Sequence, residues 1–256
     1  MSSLLINDEI ILKRLKAIIF DKDGTLIDIH YYWSKMINLR ATLITKKWFN
    51  RKKNSEIQLS LSNLMGVNIK TNKIKAEGPV GIMPRSFIVE IVANYVRDSY
   101  PNVSDNEIEN IFKVADNISS KDILSFLKIL PGVEDLLSKL NRCQISSIIV
   151  STDITSRANL SMKSLKLDHY FTKIIGADLV QKSKPFPDLA ELALSYLDCD
   201  ASEIAVIGDH PVDIKMGKSV NSGLNIGVLT GISTAEMFED LECIVINDLN
   251  SIDLMC

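Results

Sequence analysis

Three short apolar runs, each ending in a polar cluster, constrain this 256-residue chain most. They are AIIF (17–20), followed by DKDGT; ISSIIV (145–150), followed by Ser151 and Thr152; and IAVI (204–207), followed by GDHPVD. Runs of this length without alternation fit parallel strands covered on both faces. Weaker strands are expected at 174–176 and 224–229. Helical patterns lie between them. PGVEDLLSKLN (131–141) opens on a proline and carries Val133, Leu136, Leu137 and Leu140 at helical spacing; SRANLSMKSLKL (156–167) and PDLAELALSYL (187–197) behave likewise. Strand and helix in alternation predict an α/β fold, a Rossmann-like open parallel sheet with helices on both faces.

Residues 29–129 break that rhythm and read as helices without strands. The candidates are YYWSKMINLRATLITKKWF, RSFIVEIVANYVRDSY and SDNEIENIFKVADNI, the last with a capping-box pattern of Ser104 and Glu107. The glycine-proline stretch EGPVGIMPR (77–85) punctuates the middle. The expected organisation is therefore a core of residues 1–28 and 130–256, interrupted after its first strand by an all-helical domain at 29–129. The linkers near Asp28–Ile29 and Leu130–Gly132 would be the hinges.

Composition excludes little. A net charge of -3 implies no strong attraction to nucleic acid or anionic membrane, and no apolar run approaches the ~18 residues of a membrane span. The N-terminal MSSLLINDEIILKRLK lacks a basic region ahead of its apolar residues, so no signal peptide is expected. Cys143, Cys199, Cys243 and Cys256 are scattered and are expected to be free thiols in a reducing cytoplasm. His30, His169 and His210 show no zinc spacing, and a surface histidine is the expectation for His210. Trp33 and Trp48 are expected in the core of the insertion. The basic cluster KKWFNRKK (46–53) reads as a solvated helix end rather than an anion patch.

The paired carboxylates Asp21 and Asp23 are the chemical anomaly. Residues i and i+2 of an extended chain point the same way, so both acids project from the carboxyl end of the first strand, the edge where ligands bind in open α/β sheets. Gly24 permits a sharp departure of the chain. Like charges so close repel, unless a cation and a charged substrate compensate. Ser151 and Thr152, Lys184 in KSKPFPD, and Asp209 and Asp213 in GDHPVD occupy other strand ends or loops.

Taken together, DKDGT, the strand-end Ser151, the lysine of KPFPD and GDHPVD resemble the four motifs of the haloacid dehalogenase superfamily. The resemblance covers 16–28 and 131–231, and the helical insertion looks like that family's type-1 cap, as in phosphoglycolate phosphatase and β-phosphoglucomutase. It implies a Mg²⁺-dependent phosphatase acting on a small phosphate ester through an aspartyl-phosphate. Asp21 would be nucleophile and metal ligand; Asp23 would ligate through its backbone carbonyl and serve as general acid and base. Ser151 and the backbone N–H of Thr152 would hold phosphoryl oxygens, with Thr152 the rival for the side-chain role. Lys184 would neutralise the phosphoryl group, in preference to Lys182. Asp209 would complete the metal shell, Asp213 would support it directly or through water, and Thr25 would brace the loop. Arg85, with Arg40 behind it, is the cap candidate for the distal part of the substrate. The side chain of Asp23 argues against dehalogenation. A phosphomutase and a non-catalytic phosphate-binding regulatory member remain as alternatives, and a phosphatase of nucleic-acid ends is a minor third. The expected partner is a small-molecule phosphate ester for a cytoplasmic monomer or homodimer, with no nucleic acid and no membrane.

Overall fold

The computed structural model describes residues 2–49, 54–75, 78–80 and 83–256. The chain forms two compact units, one of residues 1–29 and 128–256, the other of residues 30–127. The first unit opens with β1 (Ser3–Ile6), β2 (Glu9–Lys13) and β3 (Ala17–Phe20). The second holds α1 (Ile29–Trp48, beginning at the boundary), α2 (Asn54–Leu64), β4 (Val67–Asn68), β5 (Lys73–Ile74), α3 (Arg85–Arg97) and α4 (Asp105–Lys121). The first unit resumes with α5 (Val133–Arg142), β6 (Ser146–Ser151), α6 (Thr155–Ser164), β7 (Lys173–Gly176), α7 (Asp188–Leu194), β8 (Ile204–Gly208), α8 (Pro211–Ser219), β9 (Leu224–Val228), β10 (Ile244–Ile246) and β11 (Ile252–Met255).

Six strands form one sheet in the order β10-β9-β8-β3-β6-β7, and every pairing in it is parallel. β3 is central, flanked by β6 and β8, which brings the three polar strand ends side by side. All four residues of β3 and all five of β8 are buried, the signature of a sheet covered on both faces. On one face Ala17, Ile19, Ile148, Val150 and Val206 pack with Leu189, Ala190 and Ala193 of α7 and Met216 of α8. The alternate residues Ile18 and Phe20 are also fully buried. In α5 the predicted stripe of Val133, Leu136, Leu137 and Leu140 is the buried face.

A second, three-stranded antiparallel sheet, β11-β1-β2, was not expected from the sequence. β1 and β2 are joined by Asn7 and Asp8, both at positive φ (51° and 66°), the backbone of a tight hairpin turn that Asn and Asp tolerate. The third strand comes from the far end of the chain, where local patterning cannot reveal it.

That closure also corrects the expectation of four free thiols. β11 runs beside α5, with Lys139 of α5 3.1 Å from Asp253. Cys143 at the end of α5 and Cys256 after β11 are paired as a disulfide, their Cα atoms 5.4 Å apart and 113 residues separated in sequence. Cys199 and Cys243 are free. The cysteine pattern therefore no longer argues for a reducing compartment.

In the second unit, the capping box at Ser104 and Glu107 forms as predicted: the Ser104 hydroxyl accepts from the Glu107 N–H, and the Glu107 carboxylate from the Ser104 N–H. The expectation of helices alone is corrected by the β4–β5 hairpin. Its strands are two residues each, too short for periodicity to show. The turn is built by Asn68, whose side-chain oxygen accepts from the Lys70 N–H at 3.0 Å. Trp33 and Trp48 are half-buried rather than core residues. Lys46 and Lys47 are exposed in the last turn of α1, and the remaining basic residues of that cluster, Arg51, Lys52 and Lys53, lie outside the described residues. So do Glu77, Gly81 and Ile82 of the glycine-proline stretch. Among the described residues no helix is long and apolar enough to cross a membrane.

Candidate active site

The carboxyl end of β3 delivers Asp21 into the first unit's sheet edge, and its N–H donates to the Ile207 carbonyl of β8 at 2.8 Å. Lys184 arrives from the loop before α7. Its side chain is 1% exposed, and its ammonium lies 2.6 Å from Asp21 Oδ1 and 2.7 Å from Asp213 Oδ1. The first contact is an aligned hydrogen bond; the second is a charge contact without that alignment. Lys182, the rival, is exposed, with its ammonium 5.0 Å from the centre of the Phe186 ring.

β8 ends at Gly208 and hands over to Asp209, which is buried and accepts from the Ile232 N–H at 3.2 Å. α8 then begins with reciprocal capping. His210 Nδ1 accepts from the Val212 N–H at 3.3 Å, and Asp213 Oδ2 accepts from the His210 N–H at 3.0 Å. His210 is thus a helix cap rather than a free surface side chain, and burial lowers its pKa. Asp213 serves at once as a first-turn helix carboxylate and as a partner of Lys184.

Carboxylate oxygens of Asp21, Asp209 and Asp213 lie within 4.8 Å of one another, and all three residues are buried. At such spacing two unit charges repel by at least about 3 kcal/mol for an effective dielectric near 20. Burial, relieved in part by Lys184 and aggravated by Asp213, lifts the Asp21 carboxyl from 3.8 to about 6. Burial, with Asp21 and Asp213 adding to it, pushes Asp209 well above the usual carboxylate range. Three carboxylates against one ammonium leave two formal negative charges, the charge of one divalent cation. An all-oxygen set of this kind suits a hard cation. The residues present therefore fit a divalent metal site.

Backbone geometry supports this crowding. Gly24 takes φ +96°, and a Cβ there would collide with the Asp209 carboxylate. The same holds for Gly231 on the far side of Asp209. The Thr230 hydroxyl donates to the Gly24 carbonyl at 2.6 Å, tying the loop after β9 to the loop after β3. Thr25 is fully buried, and its hydroxyl has no hydrogen-bond partner.

Ser151 ends β6 and is 1% exposed, and its hydroxyl accepts from the Asp153 N–H at 3.1 Å. Thr152 is exposed. Asp23 is held differently from Asp21: its Oδ2 lies 2.6 Å from the ammonium of Lys22, and a third of its side chain is exposed. Arg85 lies in the second unit at the start of α3. Its guanidinium is engaged there by Glu109 at 3.1 Å and Asp116 at 2.5 Å, while Arg40, stacked 4.2 Å over Phe112, takes the other Asp116 oxygen at 3.1 Å.

Sequence reasoning missed Lys22 and Asp153. Lys22 is 4% exposed and lies 3.6 Å from Asp153 as well as against Asp23. Burial alone would lower its pKa, but Asp23 and Asp153 outweigh that and raise it. A basic residue set between two acids at a strand end was the available signal.

A family model described as haloacid dehalogenase-like hydrolase matches residues 18–228. The chain belongs to that family. The match runs from β3 through β9 and includes every residue described above at the sheet edge except Gly231 and its neighbours. Among relatives, a protein named "Probable phosphatase IndB" from Dickeya dadantii is 32% identical over 120 residues, 47% of this chain and 52% of that protein. The pyrophosphatase PpaX of Anoxybacillus flavithermus is 28% identical over 172 residues, 63% of this chain and 79% of that one. A crystal structure described as a predicted phosphoglycolate phosphatase from Haemophilus somnus has a TM-score of 0.66 at 15% identity, covering 93% of this chain and 96% of its own. At that identity the likeness is one of fold. The fold is thus the one that the motif resemblance implied.

Proposed function

We propose that this hydrolase is a Mg²⁺-dependent phosphatase that cleaves a small phosphorylated metabolite, a monoester of the phosphoglycolate type, through an aspartyl-phosphate. The observation that carries the reading is the convergence of Asp21, Asp209 and Asp213 around the Lys184 ammonium. Such an excess of buried negative charge is unfavourable by itself and becomes favourable around a cation.

Asp21, Asp209 and Asp213, with the backbone carbonyl of Asp23, would hold the ion, which when bound supplies charge neutralisation at the phosphoryl group. Asp21 attacks phosphorus with a carboxylate oxygen, and the bond from phosphorus to the leaving oxygen breaks. Asp23 gives its proton to that oxygen. It then takes a proton from the water that attacks the aspartyl-phosphate, so Asp21 and inorganic phosphate are released and Asp23 regains its proton. Lys184 offsets charge on the transferring group and orients Asp21 through the 2.6 Å contact. Ser151 and the Thr152 N–H hold equatorial oxygens, and Thr25 braces the loop that carries Gly24. The second unit is the candidate for the cap that selects substrate, and Arg85, paired there with Glu109 and Asp116, is its candidate substrate contact. A phosphorylated metabolite as substrate accords with a cytoplasmic enzyme.

The test is hydrolysis of p-nitrophenyl phosphate with and without Mg²⁺, followed by a panel of phosphorylated metabolites. The panel includes pyrophosphate, because the similar protein from Anoxybacillus flavithermus is named a pyrophosphatase. Turnover should require Mg²⁺ and vanish in Asp21→Asn. Retained turnover in that variant overturns the nucleophile assignment, and inactivity of the wild type across the whole panel favours a non-catalytic phosphate-binding role.

A further inference from the structure

Lys22 has no part in the scheme above, yet its burial demands a reason. A buried ammonium is tolerated only when paired. Lys22 is paired twice, 2.6 Å from Asp23 Oδ2 and 3.6 Å from Asp153 Oδ2, and its side chain is 4% exposed. Asp153 is itself immobilised. Its Oδ1 accepts from the Ile154 N–H at 2.9 Å, its carbonyl accepts from the Ala177 N–H at 3.0 Å, and its N–H donates to Ser151 Oγ at 3.1 Å. A rigid anchor on the loop after β6 thus reaches, through Lys22, the carboxylate of Asp23 on the loop after β3.

Asp23 needs such a tether. Its side chain is one-third exposed, unlike that of Asp21, so packing alone does not select its rotamer. We propose that Lys22, braced by Asp153, is the positioning residue that fixes the Asp23 carboxylate for proton transfer, leaving Oδ1 as the oxygen that carries the proton. The two acids of the strand end are then each held by a different lysine, Asp21 by Lys184, which Asp213 shares, and Asp23 by Lys22, which Asp153 shares. Because Asp153 also donates to the Ser151 hydroxyl, one residue aligns the proton donor with a phosphoryl ligand.

This inference rests on the acid–base role given to Asp23 under the proposed function. Its test compares kcat/KM of Lys22→Met and Asp153→Asn on two esters, an alkyl phosphate and 2,4-dinitrophenyl phosphate. The first needs its leaving oxygen protonated and the second does not. A well-placed general acid contributes about 10²–10⁴-fold, and misplacement forfeits much of it. Lys22→Met should therefore lose about 10²-fold in kcat/KM on the alkyl ester, with KM for that ester little changed, and under about 5-fold in kcat/KM on the dinitrophenyl ester. Asp153→Asn should show the same discrimination at smaller size. With the dinitrophenyl ester a burst of dinitrophenol should appear in Lys22→Met, since water activation by Asp23 then limits turnover. Loss of general folding would depress both esters alike, and equal losses on the two, or none on either, overturn the proposal. Asp153→Asn keeps the question answerable if Lys22→Met fails to fold. A wild type that hydrolyses neither ester refutes the acid–base reading itself and this inference with it.

Discussion

Replacing Lys184 by Met removes the ammonium that, among the described residues, is ion-paired with both Asp21 and Asp213. The residues left behind are Asp21, Asp209 and Asp213, all buried, with oxygens within 4.8 Å of one another. Taking one partner from a buried ion pair generally costs about 3–5 kcal/mol. Protonation limits that loss. Asp21 already titrates at about 6, so holding it neutral at pH 7 requires only on the order of 1–2 kcal/mol. The expected loss for metal-free Lys184→Met is therefore about 3 kcal/mol at pH 7.5, shrinking towards pH 5.5 as Asp21 accepts a proton. Urea unfolding in the presence of a chelator, at both pH values, reads this directly. Lys182→Met is the control: that side chain is exposed and should change stability by less than about 0.5 kcal/mol. A Lys184→Met loss below about 1 kcal/mol, or one no larger than that of the control, would refute the electrostatic account of the site.

The wild-type protein carries a related pH signature. The Asp21 carboxyl ionises near 3.8 when unfolded and near about 6 when folded, so the folded state holds the extra proton between those values. Metal-free stability should fall as pH rises through that window, by on the order of 3 kcal/mol, and millimolar Mg²⁺ should restore it above pH 6; melting curves that rise with pH across the window without metal would contradict this. Gly24→Ala should lose at least about 1–2 kcal/mol, because Gly24 sits at φ +96° and the new Cβ meets the Asp209 carboxylate; a neutral result in chemical denaturation would refute that close approach. Thiol titration of the denatured, unreduced protein should count Cys199 and Cys243 alone, and all four cysteines after reduction; four before reduction would overturn the Cys143–Cys256 pairing.

The fold was legible where neighbouring residues carry the signal. AIIF, ISSIIV and IAVI are strands because both faces of a parallel sheet exclude water, and the Val133, Leu136, Leu137 and Leu140 stripe is a helix face for the same reason. The capping box at Ser104 is likewise a local event, complete within four residues. Asp21 and Asp209 could be singled out because acids at the ends of apolar runs are costly and rarely accidental.

Other features depend on residues far apart in the chain. The KPFPD pattern pointed to Lys184 over Lys182, but that its ammonium meets Asp21 and Asp213 together is decided by the folded chain, with Lys184 and Asp21 163 positions apart in sequence. The partnership of Lys22 with Asp153, the β11-β1-β2 sheet and the Cys143–Cys256 bond all join segments that only the folded chain brings together. The β4–β5 hairpin escaped for the opposite reason, since two-residue strands offer too few positions to show a period. From the sequence by itself came the strand and helix types and the chemical character of each strand end. The tertiary structure decided which charges face which, because Coulomb energy depends on distance in space and a pattern along the chain does not contain it.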